Sequence, residues 1–289
     1  MSHKLSLLVA LAGTCFTMVG CGTNTAENPN GLEVSKLVVG LECNYAPFNW
    51  TETSSSEFTL PISNVAKSYA DGYDIQIAKI LGEQLDMEVE IVKEDWEALV
   101  PDVQLDAVNV IIAGMTDTED RRQSINFTDE YYRSELVLVT SKTFADEHTS
   151  VLTSAELTTL LKGQDIVSQT NTVTNNVIDI FVEKFGAIHN APVDSFAAAA
   201  VDVSLGGAFA MTAELPVAQS IVNSNADLGL VRIEQSILGD SLAELGVSIG
   251  VKKQNTKLLT ALNEALATVT ADERNTMMID AVTRSTAAE

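Results

Sequence analysis

An α/β fold in two domains is predicted by three features of the sequence. From Lys36 onward, short apolar runs alternate with segments of helical periodicity, the pattern of chained β-α-β units. One of those runs, "AVNVIIAG", is nearly continuous, as expected of a parallel strand covered on both faces. The 289 residues, 46% of them hydrophobic, suffice for two medium cores.

The elements follow in order. Residues 37–39 form the first strand, and "GLECNYAPFNWTE" after it carries a carboxylate and aromatic rings where a simple turn would need only Gly, Asn or Asp. Residues 51–71 are polar and Ser/Thr-rich, a surface excursion. In "GYDIQIAKILGEQL", Ile77, Ile80, Leu81 and Leu85 fall on one helical face, with Asp74 suited to cap the start. "MEVEIV" alternates as a strand, and "WEALVPDVQ" reads as a short helix broken or restarted at Pro101. After "AVNVIIAG", Thr118 with Glu119 and Asp120 marks another helix start, which puts Arg121 in a first turn. A second set begins after Val139: strand "QDIVSQ", helix "VTNNVIDIFVEKF", helix "SFAAAAVDV", strand "GGAFAM" and helix "ELPVAQSIV" with Pro216 in its first turn. Strand "GVSIGV" and a helix with the stripe Leu258, Leu262, Leu266 and Val269 close the chain. The stripe is core packing.

At the N-terminus, Lys4 precedes "LSLLVALAGTCFTMVG", the length of an export-signal core and short of a membrane span. Met18-Val19-Gly20-Cys21 resembles a bacterial lipobox, which implies a signal peptide over 1–20 and lipidation of Cys21; the alternative is an ordinary export peptide with Cys21 incidental. Residues 21–35 read as a flexible tether. With 40 acidic against 17 basic side chains and a net charge of -23, the composition argues against general affinity for nucleic acid or anionic headgroups, although net charge says little about any one site. With Cys15 in the signal and Cys21 lipidated, Cys43 has no disulfide partner. His3, His148 and His189 are scattered, so no metal site, catalytic triad or cofactor is expected.

The blocks "VVGLECNYAPFNW", "GYDIQIAKILGEQL", "DWEALVPDVQ", "VIIAGMTDTEDRRQSINFTDEYY", "LKGQDIVSQTNT" and "FAMTAELPVA" resemble, in order and spacing, the extracellular solute-binding proteins of polar amino-acid ABC importers. The resemblance implies a two-lobed periplasmic-binding-protein (Venus flytrap) fold, each lobe a mostly parallel sheet flanked by helices. Residues 36–132 and 247–289 would form lobe I and residues 133–246 lobe II, with a two-strand hinge near 131–135 and 245–248. It also implies roles for named residues. Arg121 pairs with a ligand α-carboxylate, helped by Thr116 N–H and by Thr172. Glu214 accepts the α-ammonium together with the Gly114 carbonyl and the Thr116 hydroxyl, while Tyr45 and Trp96 sandwich the side chain and Glu42 reaches its distal end. Phe48 is expected in the core. The sequence departs from the family pattern at Asn171 and Asn109, which replace a usual glycine and a common aspartate, and Glu42 and Glu214 are each one methylene longer than the frequent aspartate.

One positive charge (Arg121) against two negative (Glu42, Glu214) suits a ligand of net positive charge, such as lysine, arginine or ornithine. A neutral polar amino acid such as glutamine is the alternative, because its amide also donates to Glu42. The expected partners are a free amino acid, a membrane permease and, through lipid, the outer face of the cell membrane; the chain is expected to be a monomer. An enzyme on the same fold, a prephenate-type dehydratase with Glu42 or Glu214 as general acid, is the competing class. A receptor sensor module would need a second hydrophobic span, and none occurs before Glu289.

Overall fold

The computed structural model describes Leu32 and residues 34–285. The expected signal, Cys21 and nearly all of the tether lie outside the described residues. In chain order, β1 (Lys36–Leu41) is followed by four short strands, β2 (Asn44–Tyr45), β3 (Asn49–Glu52), β4 (Leu60–Pro61) and β5 (Tyr69–Asp71). Next come α1 (Tyr73–Gln84), β6 (Glu88–Lys93), a 3-10 turn at Trp96–Ala98, α2 (Leu99–Gln104), β7 (Val110–Ile111), α3 (Glu119–Arg122) and β8 (Ile125–Arg133). The second group holds β9 (Leu136–Ser141), α4 (Lys142–Glu147), α5 (Ser154–Leu160), β10 (Asp165–Val167) and α6 (Val173–Phe185). It continues with β11 (Ile188–His189), α7 (Phe196–Ser204), β12 (Ala210–Glu214), α8 (Leu215–Ser224) and β13 (Leu228–Arg232). A 3-10 segment, Gln235–Leu245, returns the chain to β14 (Gly246–Lys252), then α9 (Thr256–Leu266) and α10 (Ala271–Ser285).

Two five-stranded sheets result, ordered β6-β1-β7-β14-β8 and β11-β10-β12-β9-β13. Their layouts match strand for strand. In each sheet four strands run in one direction and one runs against them, so the sheets are mixed. β1 is parallel to β6 and β7, but β14 is antiparallel to β7 and β8. Likewise β10 is parallel to β11 and β12, but β9 is antiparallel to β12 and β13. The reason is connectivity: β9 and β14 are the first strands the chain enters after crossing from one sheet to the other, and each inserts against the local direction. Among the described residues, no helix is long and apolar enough to cross a membrane.

Three expectations change at the level of elements. Asp74 does not cap α1; Gly72 holds the cap position, and the Asp74 side chain turns inward with no solvent exposure. "AVNVIIAG" supplies only a two-residue ladder, β7, because its apolar run records burial of residues 110–113 and not strand length. The excursion at 51–71 is folded: with β2 it contributes to a four-stranded sheet, β2-β3-β5-β4. It is fastened to the C-terminal helix. Arg284 of α10 donates from Nη2 and Nε to the Asp71 carboxylate at 2.9 and 3.1 Å, and its guanidinium lies 4.2 Å from the Phe58 ring centroid and 5.9 Å from that of Trp50. The same helix reaches the second sheet, where the Ser285 and Ser220 hydroxyls are bonded at 2.8 Å. Beside that contact, Tyr132, Leu215, Pro216, Met278 and Val282 line a groove between α8 and α10.

Removing Arg284 leaves Asp71 nearly buried without its cation. Arg284→Ala is expected to cost about 2 kcal/mol or more in urea unfolding, with earlier proteolysis inside 51–71; an unchanged midpoint would mean that the excursion is held elsewhere.

Candidate functional site

All eight residues singled out for binding line one cavity between the sheets: Glu42, Tyr45, Trp96, Gly114, Thr116, Arg121, Thr172 and Glu214. Its empty space, counting the part open to solvent, is about 280 Å³. Glu42 follows β1, Trp96 follows β6, Gly114 and Thr116 follow β7, Thr172 follows β10 and Glu214 ends β12. Each of these thus sits at a carboxyl end of a strand, where open α/β sheets present their crevice.

The backbone makes this convergence possible at two tight turns. Gly114 has φ +60°, and a Cβ there would lie 2.7 Å from Tyr45 Cε1, so only glycine lets the aromatic approach. Cys43 is also left-handed, at φ 54°, which swings the chain from Glu42 toward Tyr45. Its N–H donates to Asn49 Oδ1 at 2.8 Å.

Arg121 is positioned by Thr118, whose hydroxyl accepts its N–H at 3.2 Å as the cap of α3. Its guanidinium donates to the Thr116 carbonyl (2.8 Å), the Thr116 hydroxyl (2.6 Å) and, across the cleft, the Asn171 carbonyl (2.8 Å). Its guanidinium carbon lies 5.1 Å from the Trp96 ring centroid, and Trp96 Nε1 donates to the same Asn171 carbonyl at 3.2 Å. Thr172 spends its hydroxyl locally: it caps α6 by accepting from Asn175 N–H at 3.1 Å and donates to the Gln169 carbonyl at 2.7 Å. Thr172 and Val173, the cap and first residue of α6, line the cavity, so the helix begins there, an end that favours anions.

The two acids are buried and each is met from the opposite sheet. Glu42, 5% exposed, accepts from Gln169 Nε2 at 2.9 Å; Gln169 is itself anchored to the Asp194 carbonyl at 3.0 Å. Glu214, 6% exposed, accepts from the Tyr45 hydroxyl at 2.7 Å. Burial pushes the Glu42 carboxyl up to about 7, against the opposing pull of the Gln169 bond. Burial also raises Glu214, which the Tyr45 bond partly offsets. Tyr45 is pushed far up, first by burial and then by Glu214, so it stays a donor. Its ring stacks on Phe48 at 5.2 Å and meets Phe196 at 4.8 Å.

Gln169, Val173 and Phe196 also line the cavity and were not singled out from the sequence. Gln169 lies in the "QTNT" block itself, and Phe196 is the one large side chain opening an alanine-rich helix. Phe48, expected in the core, is 1% exposed. Among the described residues, no group of three or more His, Cys, Asp or Glu is placed to hold a metal ion.

The raised carboxyls make stability depend on pH. A carboxyl whose folded value lies above its unfolded one binds a proton on folding, so it favours the folded state at low pH and loses that contribution as pH rises through about 7, the Glu42 value. Glu42→Gln is therefore expected to raise the thermal midpoint at pH 8 relative to wild type, and to do so much less at pH 5. A gain equal at both pH values would contradict the assignment.

Residues 37–280 match the model of the bacterial extracellular solute-binding proteins, family 3. The ABC transporter arginine-binding protein 1 of Escherichia coli K12 is 26% identical over 273 residues, 93% of this chain and 94% of that protein. An amino acid ABC transporter substrate-binding protein, AbpA of Streptococcus pneumoniae, bound to L-arginine, shares the fold at a TM-score of 0.70 and 20% identity, covering 88% of this chain and 97% of that one. An ancestral amino-acid-binding protein, a precursor of cyclohexadienyl dehydratase, aligns at a TM-score of 0.65 and 22% identity, over 85% of this chain and 95% of its own. Two mixed sheets with a cavity at their facing strand ends, and a family match that spans most of the chain, agree: the protein belongs to the bacterial extracellular solute-binding proteins of family 3.

Proposed function

We propose that the cavity takes up one free cationic amino acid (lysine, arginine or ornithine) and that the chain is the substrate-binding component of an ABC importer, delivering its ligand to a membrane permease. The observation that carries this reading is the charge of the lining: one guanidinium, Arg121, against two buried carboxylates, Glu42 and Glu214. A ligand with one net positive charge balances them, whereas one without a cationic or donor group for Glu42 leaves that buried acid with Gln169 as its partner and no opposing charge. The relative from Escherichia coli, described as arginine-binding, supports the same class.

In this reading Arg121 and the start of α6 receive the α-carboxylate. Glu214, the Gly114 carbonyl and the Thr116 hydroxyl take the α-ammonium, Tyr45 and Trp96 flank the side chain, and Glu42 takes its distal cation. The lobes are residues 36–132 with 247–289, and residues 133–246. They close by rotation about the crossing segments, and ligand interactions made only in the closed form shift the population toward it. Capture proceeds without chemistry, as a monomer. The signal peptide at 1–20 and lipidation of Cys21 tether the protein outside the cytoplasm.

A thermal-unfolding screen against free amino acids tests the reading. At about 100 times its dissociation constant a ligand stabilises by about 2.7 kcal/mol. The shift is expected with lysine, arginine or ornithine, is lost in Arg121→Ala, and loses its preference for lysine over glutamine in Glu42→Gln. A shift with glutamine alone would keep the importer and discard the cation. Silence with every amino acid, together with consumption of prephenate, would favour the dehydratase class.

A further inference from the structure

Behind the ligand cavity, wholly inside the first lobe, lies a polar chain that none of the binding roles uses. Asp74, Asn49, Tyr73 and Tyr131 have no solvent exposure. Asn49 sits between two partners: its Oδ1 accepts the Cys43 N–H at 2.8 Å, and its Nδ2 donates to Asp74 Oδ2 at 2.8 Å. On the other side of the carboxylate, the Tyr131 hydroxyl donates to Asp74 Oδ1 at 2.7 Å and accepts the Gly114 N–H at 2.9 Å. The Tyr131 carbonyl accepts the Tyr73 hydroxyl at 2.8 Å, which fixes the strand carrying that ring. Asp74 is itself pinned by its own N–H to the Phe48 carbonyl at 2.8 Å.

The two ends of this chain are the two left-handed turns of the binding site. Cys43 at φ 54° sets where Glu42 and Tyr45 point, and Gly114 at φ +60° sets where its own carbonyl and Thr116 point. Every donor and acceptor along the path runs in one direction, and the direction reverses only at Asp74, the single member that accepts from both sides. We infer that Asp74 is a positioning residue for ligand binding, holding the Glu42 turn through Asn49 and the Gly114 turn through Tyr131, so that the two walls of the cavity keep one mutual geometry. The inference rests on the ligand reading above for its function, and on these bonds alone for its structure. A buried carboxylate is costly unless its acceptors are filled, which explains why an acid is tolerated here only with both neighbours in place. An amide at position 74 cannot substitute: if it accepts from Asn49, its own NH2 faces the Tyr131 hydroxyl, a donor already committed toward it.

Exchanging the two side chains gives a discriminating test. In the double variant Asn49→Asp/Asp74→Asn, the carboxylate moved to position 49 accepts from Cys43 N–H and from the amide moved to position 74. That amide's oxygen accepts from Tyr131, so every bond is restored with its polarity consistent. Amide hydrogen exchange at Cys43 and Gly114, with calorimetric titration of L-arginine and L-lysine, reads both ends. Asp74→Asn is expected to speed exchange at both amides and to weaken binding about tenfold or more, and the double variant to recover both. Tyr131→Phe should free Gly114 while Cys43 stays protected, which keeps the test decisive should Asp74→Asn fold poorly. Unchanged exchange and affinity in Asp74→Asn, or a double variant that rescues neither, would overturn the relay. A wild-type chain that binds neither amino acid would overturn the ligand reading instead, and the amide measurements still decide whether Asp74 holds the turns.

Discussion

The arrangement of the site depends on one constraint: two carboxylates are buried at the seam between the sheets, and each finds its partner across that seam. Glu42 of the first sheet meets Gln169 of the second, and Glu214 of the second meets Tyr45 of the first. In a low-dielectric setting such groups weigh heavily on whichever conformation satisfies them. The proposed closure of the lobes would thereby be coupled to the chemistry of the cavity. A donor entering between them competes for, or adds to, bonds that already join the two halves, and binding and conformation become one equilibrium.

The scaffold makes that seam by repetition. Both sheets have the same strand order, with the inserted antiparallel strand in the same place, so their carboxyl-end loops face each other across the cleft. The chemistry sits at strand ends and in the segments that follow them, not in the middle of the ladders. The strands they follow are short, down to the two residues of β7, and their buried apolar side chains provide the rigidity that the turns at Cys43 and Gly114 need.

Much of this is legible in the sequence, and the parts that are not share a cause. Helical periodicity finds α1, α6 and α9, and the Thr-Glu-Asp start of α3 locates Arg121, because those signals are local. Motif order brings out eight residues that the fold gathers into one cavity. Antiparallel insertion of β9 and β14 is hidden, since an apolar strand looks alike in either direction. Asp74 looks like a cap because acid near a helix start usually is one; its real environment is set by Asn49 and Tyr131, far away in sequence. Gln169 and Phe196 escape notice for the same reason, since their importance comes from what the opposite lobe places against them.

The contact between α8 and α10 gives the molecule a mechanical property distinct from its binding chemistry. α8 belongs to the second sheet's layer, whereas α10 is clamped to the first lobe through Arg284 and Asp71. A rotation of one lobe on the other must therefore slide these helices past each other, across the small Ser220–Ser285 contact and the apolar groove beside it. For the proposed closure, the bulk of side chains on two helices outside the cavity's lining would bear on the range and speed of the swing, while the lining itself stays the same.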